Sequence, residues 1–147
     1  MKQSFIVLTV AILLFGCSEE DRSPVISEQA ADRVKTTMTV QYSQGRFGPE
    51  LSVRIMASNN GPPLTLPYQC AEHFGFEIRD GGDHVVLRYP ANCETDLHDF
   101  VIEENGSVER NHSIGVSLSV GGYTVRGGLL EYEDEYPWVR KSLDVKQ

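Results

Sequence analysis

Phe74-Gly75-Phe76-Glu77-Ile78-Arg79-Asp80-Gly81-Gly82-Asp83-His84-Val85-Val86-Leu87-Arg88-Tyr89 is the stretch whose reading decides the fold. Phe74, Phe76 and Ile78 alternate with Gly75, Glu77 and Arg79, and beyond Asp80-Gly81-Gly82-Asp83 the two-residue period resumes with Val85, Leu87 and Tyr89. Successive side chains of a strand point to opposite faces, so each run reads as a half-buried strand. The polar, Gly-rich tetrapeptide between them reads as the turn of a hairpin.

The same pattern extends in both directions. Upstream, Met38, Val40 and Tyr42 alternate with Thr39 and Gln41, and Leu51, Val53, Ile55 and Ala57 alternate with Ser52, Arg54 and Met56. Asn59-Asn60-Gly61-Pro62-Pro63 is a dense turn signal before a strand at 64–68, where Pro67 lacks an N–H and so places the strand at an edge or at its own end. Downstream, Phe100 and Ile102 run into Glu104-Asn105-Gly106-Ser107, whose Asn-Gly favours a type I′ turn, and 108–118 returns with Ile114, Val116 and Leu118 on one face. A further strand starts at Tyr123 and Val125, and 136–145 supplies the last. No stretch of this region has a periodicity that requires a long helix.

About seven to nine short strands with turns at near-regular intervals predict an all-β, immunoglobulin-like antiparallel β-sandwich over residues 36–147. Gly121-Gly122-Tyr123-Thr124-Val125 points the same way. In such sandwiches a Tyr near the start of a late strand, two residues before a core position, returns its hydroxyl to the backbone at the corner.

Residues 1–16 have a different character. Met1-Lys2-Gln3-Ser4 supplies one positive charge, an eleven-residue apolar stretch covers 5–15, and Gly16-Cys17 follows, which is the plan of a secretory signal peptide. Leu14-Phe15-Gly16-Cys17 resembles the lipobox of bacterial lipoproteins. That resemblance implies cleavage before Cys17, which becomes a diacylated new N-terminus, and anchoring on a membrane by more than one chain. Ser18 after the Cys resembles the outer-membrane sorting pattern, facing the periplasm if the cell has two membranes. Residues 17–35, rich in charge and poor in large apolar side chains, are expected to form a solvated tether.

The 147 residues carry 13 Lys+Arg against 21 Asp+Glu, a net charge of -8, and loss of Lys2 with the signal peptide makes it -9. An acidic domain with no basic block repels phosphate backbones, so no nucleic-acid partner is expected. The chain contains no G-x-S-x-G, H-E-x-x-H, Walker or G-x-G-x-x-G string, and nothing sets a nucleophile beside a base. The expectation is a non-enzymatic protein with no cofactor.

Leu51-Ser52-Val53-Arg54-Ile55, Leu64-Thr65-Leu66, Phe76-Glu77-Ile78-Arg79-Asp80-Gly81-Gly82 and Gly122-Tyr123-Thr124-Val125-Arg126-Gly127 together resemble, in their order, the intracellular proteinase inhibitor (BsuPI) family. The resemblance spans roughly 51–145 and implies an immunoglobulin-like domain and a protein partner of the protease class. Cys70 and Cys93 are additions to that pattern.

With Cys17 acylated, Cys70 and Cys93 remain, and two readings of them stand. In an oxidising compartment they form a disulfide. Alternatively Cys70, His73, Cys93 and His98 form a two-Cys, two-His metal site, their spacing being permissible for zinc. Glu131, Glu133, Asp134 and Glu135, interleaved with Tyr132 and Tyr136, read as a solvated acidic loop or as a calcium or basic-partner site. Three functions follow. The first is a lipid-anchored binding module using the 64–68 edge or loops 59–63, 90–98 and 131–137, with Tyr68, Tyr132, Tyr136 and Trp138 as anchors. The second is a metal-binding envelope protein, and the third a structural accessory lipoprotein.

Overall fold

The computed structural model describes residues 32–146, and these contain nine strands and no helix. They are β1 (Val34–Gly45), β2 (Gly48–Asn59), β3 (Leu64–Cys70), β4 (Phe74–Arg79), β5 (Val85–Tyr89), β6 (Thr95–Ile102), β7 (Ser107–Gly115), β8 (Gly121–Leu129) and β9 (Val139–Val145). The signal peptide, Cys17 and the tether as far as residue 31 lie outside the described residues. The folded region begins slightly earlier than expected, because Val34 and Lys35 already pair with Asn59 and Ser58.

One sheet has the order β1-β2-β7 and the other β5-β4-β8-β9, all antiparallel. The alternation read from the sequence is what faces the two sheets together. Met38, Leu51, Val53, Ile55 and Ala57 of the first sheet are buried against Phe74, Phe76, Ile78, Val125 and Leu129 of the second. Each of these side chains larger than Ala57 contributes about 1.5–3 kcal/mol through the apolar surface it removes from water. Where the layers come closest there is room only for glycine: a Cβ on Gly127 would sit 2.9 Å from Met38 Sδ and 3.1 Å from Ile55 Cδ1. The two sheets make an immunoglobulin-like antiparallel sandwich, and β3 and β6 pair with each other as a separate two-stranded sheet. Leu66, Tyr68, Phe100 and Ile102 of that pair close the side of the core. The corner tyrosine is in place, with Tyr123 donating its hydroxyl to Ser119 O at 3.0 Å while Val125 is fully buried.

Three expectations are corrected. The strands flanking Asn105-Gly106 do not form a hairpin. Gly106 N–H closes a turn on Glu103 O, but only Asn105 takes positive φ (51°), whereas a type I′ turn needs it at both central residues. β6 therefore leaves to pair with β3 while β7 pairs with β2. The strand expected to reach Leu118 stops at Gly115, because the chain must cross to the other sheet. The Tyr42 hydroxyl spans the crossing, accepting from Leu118 N–H (3.1 Å) and donating to Val116 O (3.3 Å). Finally, β9 begins at Val139, since Tyr136 belongs to a turn closed on Tyr132 O.

Candidate functional site

Most of the side chains singled out in the sequence converge on one corner of the sandwich. β3 ends at Cys70, the chain reverses through 71–73 into β4, and β6 starts at Thr95 beside Cys70. Cys70 and Cys93 are joined in a disulfide with Cα atoms 5.3 Å apart, and Ala71 N–H donates to Glu94 O at 3.0 Å. Covalent and backbone links thus clamp the two segments that carry His73 and His98.

Across that clamp the two imidazoles meet, His73 Nε2 lying 2.5 Å from His98 Nε2. The neighbouring carbonyl fixes the tautomers. His98 Nδ1 is 2.8 Å from Asp96 O, which only accepts, so Nδ1 carries the proton and Nε2 offers a lone pair to the Nε2–H of His73. His73 stacks on Phe100 (centroids 4.1 Å apart) and meets Tyr68 edge-on at 4.9 Å. Burial, then the neighbouring His98, then the charge of Arg110 push the His73 pKa below the ordinary imidazole value, and the ring is neutral near pH 7.

The four-ligand metal set is not assembled. The sulfurs of Cys70 and Cys93 bond each other, so neither is a thiolate, and the histidines close on each other instead of on sulfur. The carboxylate of Glu131 lies within 4.8 Å of both sulfurs. It is committed to the backbone, accepting from Gln69 N–H at 3.1 and 3.3 Å.

The expected aromatic anchors are internal. Tyr68, Tyr132 and Tyr136 are 1%, 4% and 2% exposed, and their rings form a run from the corner into the core. Burial, reinforced by neighbouring acids and tyrosines, raises the Tyr68 phenol far above its usual range and holds that of Tyr132 near 12. Trp138 lies flat against Gly128, whose added Cβ would stand 2.6 Å from the indole, and its Nε1–H donates to Leu129 O. The 64–68 strand is not an open edge either. On the side away from β6, Tyr132 Oη donates to Pro67 O and Glu131 accepts from Gln69 N–H, so the 131–137 loop covers it. Of the acidic loop residues, Glu131 is thus spent on the fold, and Tyr132 and Tyr136 plug the loop into the core.

Two features escaped the sequence. Glu77, read as an outward strand residue, is 2% exposed, because Arg79 (2.7 Å), Arg88 (3.0 Å) and Arg126 (3.2 Å) converge on it across three strands. Phe47 is 96% exposed at the tip of the β1–β2 hairpin, with Arg46 above its ring. The signal for Phe47 was present, since Gly45-Arg46-Phe47-Gly48-Pro49 sets a large aromatic in a turn between two alternating runs. No family model matches the chain, and no curated protein matches it significantly.

Proposed function

We propose that this is a lipid-anchored cell-envelope protein whose BsuPI-like sandwich acts by binding a protein partner through the tip of its β1–β2 hairpin. The observation that carries the reading is Phe47. It is a fully exposed aromatic on a turn held by twelve residues of paired strand on each side. A rigid loop loses little entropy on binding, and burying one Phe is worth about 1.5–3 kcal/mol, which is what an interface anchor requires. The chain enters β1 at Val34, and a strand of twelve residues places the tip roughly 35–40 Å from that entry. Cys17 would hold one end of the domain at the membrane and the hairpin would face outward.

A proteinase-inhibitor role is supported by the chemistry of the same turn. Arg46 and Phe47 offer a basic and a large aromatic side chain on a projecting loop, the types taken by the specificity pockets of trypsin- and chymotrypsin-like enzymes. The test is a panel of secreted serine proteases titrated with the full chain, with intact mass recorded after incubation. Saturable inhibition by an uncleaved chain, lost in R46A or F47A, is expected. Inhibition that both variants retain removes the hairpin from the account, and no inhibition at high micromolar concentration removes the protease as partner.

A further inference from the structure

We propose that His73 and His98 form a two-imidazole site for a late first-row transition metal ion, Zn2+ or Cu2+. This is independent of the binding role given to the hairpin tip.

Three observations carry it. First, two residues 25 positions apart point the same ring nitrogen at one spot, Nε2 to Nε2 at 2.5 Å. Second, the far side of His98 is arranged as the outer partners of metal-bound imidazoles are: Nδ1–H donates to Asp96 O, with the Asp96 carboxylate 3.6 Å away. That contact aims the Nε2 lone pair inward. Third, both rings are held before any ion arrives, by the Cys70–Cys93 clamp on their segments and by the stacking of His73 on Phe100.

The geometry needs little change. Metal–nitrogen bonds of 2.0–2.1 Å at a tetrahedral angle put two nitrogens roughly 3.3 Å apart, so the rings must separate by less than about 1 Å. The ion takes the place of the bridging proton, which passes from Nε2 to Nδ1 of His73, so both imidazoles bind neutral and no proton is released. Solvent completes the coordination, His98 being 29% exposed. The charge of Arg110 reaches His73 and opposes any cation held by charge alone. An ion bound through nitrogen lone pairs therefore suits the site, and hard Mg2+ or Ca2+ does not.

The test is a titration of the chelator-treated full chain with Zn2+, and separately with Mg2+, followed by the imidazole 15N shifts of all four histidines and by calorimetry. One equivalent of Zn2+ should shift the ring nitrogens of His73 and His98 and leave those of His84 and His112 in place, with no response to Mg2+. H73F and H98F, each with an unchanged thermal midpoint in chelator, should weaken binding at least about tenfold. His73 and His98 signals unmoved by excess Zn2+, or binding undiminished in the two variants, would overturn the proposal.

Discussion

Glu77 and His112, together with His73, shape how the fold responds to acid. Burial pushes the Glu77 carboxyl up, but the hydrogen bonds from Arg79 and Arg88 outweigh it and hold the pKa below the ordinary 4.5. A carboxyl depressed in the folded state contributes stability above the unfolded value, and that contribution is lost as pH falls through the folded one. His112 faces Tyr89 and Phe76 inside the sandwich, and burial depresses its pKa below 6.5. The unfolded chain therefore binds the extra proton first, and stability declines as pH drops below about 6.5. Urea midpoints measured from pH 8 to pH 3 should fall in two stages, the lower one smaller in E77Q, where only the depressed Asp80 carboxyl remains; a flat profile would contradict this reading of both sites. Neither position was legible in the sequence, because an alternating strand shows which face a residue is on but not what arches over it. The single tryptophan gives a second residue-scale test. In G128A the new methyl must displace the Trp138 indole, at a cost of about 1–3 kcal/mol. A red-shifted Trp138 emission is expected, and unchanged fluorescence with unchanged stability would show that the ring is not packed there.

At the scale of elements, the strands were legible and their partnerships were not. Leu51, Val53, Ile55 and Ala57 announced β2, and Phe74, Phe76 and Ile78 announced β4, because two-residue alternation is the direct imprint of a buried face. Asn105-Gly106 failed as a hairpin signal because pairing is a tertiary choice. Asn59 is buried at that junction, and its Nδ2 donates to Pro62 O at 2.7 Å and Glu103 O at 3.2 Å, tying the end of β2 to the end of β6. The tyrosines were misplaced for a related reason. Tyr suits either face of a strand, and its hydroxyl can be satisfied by backbone, as Tyr132 is by Pro67 and Tyr68 by His73. The disulfide was one of two readings that the cysteine count and the secretory pattern of residues 1–16 left open. It closes a loop with a sequence separation of 23, for which chain entropy gives about 3 kcal/mol. C70A/C93A should lower the unfolding free energy by about that amount in urea melts, and a loss below about 1 kcal/mol would mean the clamp constrains the unfolded chain little.

For the whole molecule, β1 starts at Val34 at one end and an exposed aromatic stands just beyond its other end. Composition argued against a nucleic-acid partner and the N-terminal pattern proposed an anchor, but Phe47 stood out as a candidate contact only when the tyrosines proved to be core. Phe47 is 96% exposed, so F47A should change stability by less than about 0.5 kcal/mol. Any effect of F47A on association therefore reports the interface itself. The most direct measurement places a photo-crosslinking residue at position 47 of the full chain in intact producing cells, with position 86 on β5 as the control. The account predicts one discrete protein adduct from position 47 alone, suppressed by excess wild-type protein and not by F47A. Equal adducts from both positions, or competition by F47A as strong as by wild type, would contradict it.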